Sequence, residues 1–275
     1  MKEELGRIVR EAENDLSAWN RAREYLQARI LGLLQETGVM IPLAFCGGTA
    51  LRFLYSLPRF SEDLDFSLER KSSDFHLESS IERVAAGLAR EGYDIELKSR
   101  SVSAIHGVMI KFPGLPFELG LSPHARQLLS IKVEVDTSPP EGAGLEVSVV
   151  RRFILLRLQH HDRSSLLAGK LHAIFVRNHA KGRDYYDLMW YMTDPDWPLP
   201  NMNLLRNALI QTGWKRERVL SMDVALELKE KFRTVNWKEI RRDVTPFLER
   251  PSESEFLTED NMITLLEGFI NRTRQ

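Results

Sequence analysis

The residues best suited to chemistry lie between Gly47 and Leu68, in the run Gly-Gly-Thr-Ala-Leu-Arg-Phe-Leu-Tyr-Ser-Leu-Pro-Arg-Phe-Ser-Glu-Asp-Leu-Asp-Phe-Ser-Leu. Asp63 and Asp65 are one residue apart. In an extended strand, alternation puts both carboxylates on one face and Leu64 and Phe66 on the other, so one face is core and the other can hold metal. In-line transfer of a nucleotidyl group is commonly assisted by two divalent ions about 3.5 to 4 Å apart, which clamp the attacking and leaving oxygens. Carboxylates at i and i+2 can bridge such a pair. Oxygen ligands suit Mg²⁺, which takes part of its coordination from substrate phosphates. Gly47 and Gly48 supply the other half: a sharp turn that brings bare N–H groups close to phosphate, ahead of a short helix over 50–57 whose N-terminus faces the same ligand.

The elements that must position these groups are readable in outline. An apolar run over 41–46 predicts a buried strand before the glycines, and Pro58 ends the helix after them. Upstream, residues 4–35 predict one or two helices with a stripe of Leu16, Trp19, Tyr25, Leu26, Ile30 and Leu33, stopped by Gly38. Downstream, Ser72-Ser73-Asp74 offers an N-cap for a helix through Leu77, Ile81, Val84 and Leu88 that ends at Gly92. Strands follow over 93–102 and 105–112, then a loop over 114–127. Over 130–137, Lys132, Glu134 and Asp136 share one face while Ile131, Val133 and Val135 share the other. One or two further strands over 145–159 lead to His160-His161-Asp162. Adjacent histidines on a strand point to opposite faces, so a strand end and an Asp N-cap is the reading preferred to a metal site.

The rest of the chain reads as helical. A helix from residue 166 places Lys170 and Arg177 on almost the same side, and Gly182 separates it from a second helix opened by Arg183-Asp184. Acidic residues in a first turn suit the helix dipole without any catalytic role. The proline-rich stretch 194–200 divides this part from helices expected over 203–212, 216–231, 237–247 and 260–272. Trp214 and Trp237 read as core or groove residues. The basic groups Arg151-Arg152 with Arg157, Lys181 with Arg183, Lys215-Arg216 with Arg218, and Arg241-Arg242 each read first as solvated helix faces.

The order strand, Gly-Gly, short helix, Asp-x-Asp resembles the DNA polymerase β-like nucleotidyltransferase superfamily, with the gap from Gly48 to Asp63 at the long end of its pattern. The wording Gly-Gly-Thr-Ala-Leu followed by Arg-x-Ser-x-Asp-Leu-Asp-Phe, with Arg59 and Ser61 in place, more narrowly resembles the AbiEii-type nucleotidyltransferase toxins of bacterial abortive-infection and toxin–antitoxin systems. Gly-Lys at 169–170 followed by Arg-Asp-x-x-Asp at 183–187 matches the later motifs of those toxins.

The resemblance implies an α/β (α+β) fold: a polymerase β-like core with a small mixed sheet, an N-terminal helical arm, and a helical C-terminal region. Residues 1–160 would form the nucleotidyltransferase core and 161–275 the helical domain. It implies Glu134 as a third acid on the strand beside Asp-x-Asp, with Asp136 in reserve. Lys170 would bind the nucleoside triphosphate and Asp184 would be an essential carboxylate close to it. Thr49 would add its hydroxyl to the phosphate cradle of Gly47 and Gly48. Arg59 and Ser61 would either position the triphosphate or buttress the acidic strand. The implied cofactor is Mg²⁺, as two ions held by Asp63, Asp65 and Glu134. The implied acceptor is RNA, with the 3′ end of tRNA leading, and the outcome is growth inhibition through blocked translation. The implied partner is a cognate antitoxin.

Composition sets bounds. A single cysteine, Cys46, excludes an internal disulfide and a multi-cysteine zinc site. A net charge of −1 means that any nucleic-acid binding relies on local patches. No apolar run is long enough for a membrane span, and charges scattered through the first thirteen residues leave no signal-peptide core, so the expected location is the cytoplasm. Transfer to a protein or small molecule, and nucleotide binding without turnover, stand as alternatives. A phosphatase using Asp-x-Asp fits poorly, because here the Gly-Gly helix precedes the acids.

Overall fold

A computed structural model describes residues 1–70, 76–102 and 104–272. The chain divides into two units. The first comprises Met1–Ser56, Phe60–Pro139 and Glu146–His160, and the second comprises Leu57–Arg59, Pro140–Leu145 and His161–Gln275.

The first unit opens with two helices, α1 (Lys2–Arg10) and α2 (Asp15–Glu36). They are separate because Asn14 turns the chain and caps α2, its side chain accepting from the Ser17 amide at 2.9 Å. There follow β1 (Leu43–Cys46), α3 (Gly47–Tyr55), β2 (Leu64–Leu68), α4 (Leu77–Arg90), β3 (Glu96–Val102) and β4 (Ile105–Pro113). A short helix, α5 (Leu115–Glu118), lies where only loop was expected. The unit continues through β5 (Leu128–Asp136), β6 (Leu145–Arg152) and β7 (Ile154–His161). The cap expected at Ser72-Ser73-Asp74 lies outside the described residues.

The seven strands form one mixed sheet in the order β3-β4-β5-β2-β1-β7-β6. β1 runs antiparallel to β2, while β2–β5 and β1–β7 are parallel. The expected alternation holds. Phe45 and Phe66 pack with ring centroids 5.2 Å apart, and Val108, Ile110, Phe112, Ile131, Val133 and Val135 are all buried. Helices α2 and α4 cover this apolar side through β5 and β4. The observed architecture is therefore the mixed α/β arrangement that the motifs implied.

The second unit is built from α6 (Arg163–Val176), α7 (Gly182–Thr193), α8 (Met202–Gln211), α9 (Arg216–Leu220), α10 (Val224–Thr234), α11 (Trp237–Val244) and α12 (Glu259–Arg272). Two 3₁₀ turns, Thr245–Phe247 and Pro251–Phe256, join the last pair. The single helix expected over 216–231 is two helices. Asp223 accepts from the Ala225 and Leu226 amides at 2.9 and 3.2 Å, which caps α10 and interrupts the run. Asp162 caps α6 as expected, accepting from the Ser165 amide at 2.7 Å. Among the described residues, no helix is long and apolar enough to cross a membrane.

Candidate active site

Helix α3 starts three residues before the expected position, so Gly47 and Gly48 are its first two residues, with Cys46 at the cap position and no side-chain cap bond. Gly47 has φ +75°, a conformation that L side chains rarely adopt, and a Cβ there would run into Asp65 Oδ2. The Gly47 backbone and the Asp65 carboxylate are thus in direct approach at the positive end of α3, where a negative group is favoured. The glycine is demanded twice, by backbone angle and by the carboxylate it faces.

Thr49 is fully buried, and its hydroxyl donates to the Asp63 carbonyl oxygen. The hydroxyl, expected to add to the phosphate cradle, is used here to fix the backbone of the first acid. Asp63 itself lies just before β2 and Asp65 lies within it, both half-buried. Ser61 is also half-buried, and its carbonyl accepts from Gln27 Nε2 at 3.0 Å, tying the approach to β2 onto α2.

Strand pairing assembles a row across five strands. Cys46 pairs with Asp65, Asp65 with Glu134, Glu134 with Gly107, and Gly107 with Arg100. Paired residues share a face, so Asp65 and Glu134 are in-register neighbours on the polar side of the sheet. Glu134 is held by Lys132, 2.6 Å away. Asp136 is placed differently, opposite Ser67, with its carboxylate accepting from the Ser138 amide at 2.9 Å. Burial pushes the Asp136 carboxyl above the ordinary value; the Ser138 amide opposes this and the charge of Glu69 adds to it.

Among the described residues, no group of three or more histidine, cysteine or acidic side chains is arranged to hold a metal ion. The expected three-acid cage of Asp63, Asp65 and Glu134 is therefore not preformed. That does not conflict with the donor chemistry of Mg²⁺, which is usually bound by one or two carboxylates together with water and substrate phosphates. Asp63 and Asp65 fit this role, being hard oxygen donors at the N-terminus of a helix suited to phosphate.

The second unit contains its own charged cluster. Arg59 is 1% exposed, and its Nε and Nη2 each donate to Asp187 at 2.6 Å, a bidentate pair with a carboxylate that is fully buried. Lys170 Nζ lies 2.6 Å from Asp187 and 3.0 Å from Asp184, and Arg177 reaches the other oxygen of Asp184 at 2.9 Å. Burial would lift Asp184, but Lys170 and Arg177 together outweigh it and hold the carboxyl below its ordinary value. Burial would likewise lower Lys170 and Arg59, and the facing aspartates raise both instead. Of the two roles expected for Arg59, the observed one is a buttress, directed at α7 instead of the acidic strand. Asp187 is the structural partner in that pair.

The α7 entrance is tightly built. A Cβ on Gly182 would meet the Ile240 carbonyl oxygen, and the Gly182 amide donates to Asp243 at 2.7 Å, which fixes the helix that carries Asp184 and Asp187. Trp237 stacks edge-on against Tyr185 and donates to the Phe232 carbonyl at 2.9 Å, a core role as expected.

Of the expected basic groups, several are already engaged: Arg152 pairs with Glu24 at 2.8 Å, Arg218 with Glu227 at 2.9 Å, and Arg183 lies over the Phe247 ring. Lys98, Arg100 and Lys111, which join Lys132, were missed by sequence reasoning. They line a common trough on the sheet, together with Glu134. No run of charge marks them in sequence. Their signal is lysine and arginine at alternate strand positions, which needs the register to be read.

The family described as "Nucleotidyl transferase AbiEii toxin, Type IV TA system" matches residues 29–259. A crystal structure of a candidate nucleotidyltransferase from H. pylori superposes with a TM-score of 0.53 at 19% identity, covering 92% of this chain and 95% of that one. The crystal structure of JHP933 from Helicobacter pylori gives 0.51 at 18% identity, covering 93% and 95%. At that identity the likeness speaks for the fold. Among curated proteins none matches the chain. With the family motifs and most of the sequence matched, the chain belongs to the AbiEii nucleotidyltransferase toxin family of type IV toxin–antitoxin systems and is a nucleotidyltransferase.

Proposed function

We propose that this toxin carries out Mg²⁺-dependent transfer of a nucleotidyl group from a nucleoside triphosphate to the 3′ end of an RNA, with tRNA the leading acceptor, and thereby blocks translation and growth. The observation that carries the reading is the row in which Asp65 pairs with Glu134 while facing Gly47 at the start of α3. It combines acids with a helix end suited to phosphate.

Asp63 and Asp65 would hold Mg²⁺, which when bound would neutralise charge on the triphosphate and stabilise the in-line displacement. The backbone N–H groups of Gly47 and Gly48 receive phosphate oxygens. Thr49 keeps Asp63 in place from behind. The acceptor 3′-hydroxyl oxygen attacks the α-phosphorus; a new P–O bond forms as the bond to the β-phosphate oxygen breaks, and pyrophosphate leaves. Glu134, next to Asp65, takes the hydroxyl proton and completes the acidic set. As the family resemblance implies, Lys170 would pair with the triphosphate and Asp184 would be the essential carboxylate close to it. The cluster formally counts three cations, Arg59, Lys170 and Arg177, against two carboxylates, a surplus of positive charge suited to an anion. The family implies a nucleoside triphosphate substrate and a cognate antitoxin.

The test is incubation of purified protein with Mg²⁺, each labelled nucleoside triphosphate and total RNA, with Asp63→Asn and Asp65→Asn as comparisons. Ribonuclease-sensitive label that both substitutions abolish, in proteins with unchanged thermal melting, is the expected result. Full activity in both variants would remove these acids from the site. Label confined to protein or a small molecule would overturn the RNA acceptor.

A further inference from the structure

The polar side of the sheet does not end at the acids. Beyond Glu134 the same row passes through Gly107 to Arg100, two strand spacings of roughly 4.8 Å each away. Around it, Lys98, Arg100 and Val102 of β3, Ile105, Gly107, Met109 and Lys111 of β4, and Ser130, Lys132 and Glu134 of β5 line a trough of about 620 Å³. Alternation puts all of them on one side, because Lys98 pairs with Met109, Met109 with Lys132, and Lys111 with Ser130. On β4 and β5 the opposite side is the buried apolar one. Lysines on an edge strand commonly serve to discourage edge pairing. Here, however, the cations span three adjacent strands on a single face, and Gly107 leaves the floor low between them.

The charge balance favours an anionic strand. Four cations and one carboxylate, Glu134, bound by Lys132, line the trough, and two further carboxylates stand at its ends, Glu96 across from Lys111 and Asp136 across from Ile105. The surplus lies on β3 and β4, leading away from Asp65. Resting on the acceptor reading above, we propose that this trough is the track for the phosphodiester backbone of the RNA acceptor: Lys98, Arg100 and Lys111 take successive phosphates while the 3′ end lies at Glu134 and Asp65. The apolar members Val102, Ile105 and Met109 give sugars and base faces a surface that is indifferent to sequence. A single strand is the form that fits, since contact is made by side chains along a sheet face rather than by a helix in a groove.

The experiment uses the full chain with Lys98→Glu/Arg100→Glu together, and separately Gly107→Leu, which fills the floor without altering charge. Binding of single-stranded RNA is measured without nucleotide across a range of salt, and transfer is measured with both substrates varied. The expected result is RNA binding weakened roughly tenfold or more and a salt dependence shallower by about 1.4 in log–log slope for two lost phosphate contacts. The acceptor KM rises, while kcat and the KM for the nucleoside triphosphate stay as in the parent. Gly107→Leu weakens RNA binding with its salt slope unchanged. Unchanged RNA binding in both folded variants overturns the proposal, as does a rise confined to the KM for nucleoside triphosphate, which would make the trough a triphosphate site. The binding arm needs no turnover, so a wild-type protein that binds RNA through the trough but adds nothing to it would contradict the proposed reaction and leave the track standing.

Discussion

Gly47 shows how much one position can be asked to do. Its φ of +75° already disfavours an L residue by about 1–2 kcal/mol, and a methyl group there would also displace the Asp65 carboxylate. Gly120 has nearly the same angle, φ +74°, but opens onto empty space. Gly47→Ala and Gly120→Ala are therefore expected to share a stability loss of about 1–2 kcal/mol from the backbone angle, with only Gly47→Ala losing nucleotidyl transfer. Urea unfolding and the transfer assay together check this; equal activity in the two variants would mean that the Asp65 approach is irrelevant to catalysis. The glycines and both aspartates were legible because their types and spacing are themselves the chemical signal. Thr49 and Arg59 were not. Whether a hydroxyl or guanidinium faces a ligand or a neighbour depends on burial, and sequence does not report that Thr49 is spent on Asp63 or Arg59 on Asp187.

At the scale of elements, α6 and α7 are joined by a charged cluster whose energetics depend on pH. Asp184 is held below its ordinary value, so its share of stability is present above the unfolded value of about 3.9 and is lost as pH falls through the lower folded value. Lys170 is held above its ordinary value, so its share is present up to that value and is lost only as pH rises past the higher folded one. Lys170→Met takes one cation from two buried carboxylates that keep Arg59 and Arg177, and is expected to cost about 1–3 kcal/mol at neutral pH. As pH falls below the unfolded value of about 3.9 toward the lower folded one, the share of Asp184 is lost and the difference from the parent should shrink. Urea unfolding at several pH values reads this directly; a cost as large at pH 3 as at pH 7 would contradict it. The helices themselves were legible from periodicity and caps, including Asp162. The division of 216–231 was not, because Asp223 can serve as either a surface residue or a cap until its neighbours' amides are placed. The alternation of β5 was visible, but its register was not: the pairing of Glu134 with Asp65 joins strands some seventy residues apart through a parallel connection.

At the scale of the whole molecule, the mixed sheet and the helical second unit follow from the order of strand, Gly-Gly, helix and Asp-x-Asp, which the family match covers from residue 29 to 259. The division of the chain was harder to read, because the units are not continuous in sequence. Leu57–Arg59 belongs with the second unit, where Arg59 bridges to Leu248 and the Pro58 carbonyl accepts from the Glu249 amide at 3.2 Å. A three-residue excursion of this kind leaves no compositional trace beyond Pro58. The central claim is that a nucleotidyl group is what moves, and the fate of the phosphates tests it most directly. Wild-type protein is incubated with Mg²⁺, RNA and the preferred nucleoside triphosphate, labelled in parallel at the α- or the γ-phosphate. The account predicts α-label retained in RNA, γ-label released as pyrophosphate in equal amount, and neither with Asp65→Asn. Retention of γ-label in the RNA, or release of orthophosphate in place of pyrophosphate, would contradict it.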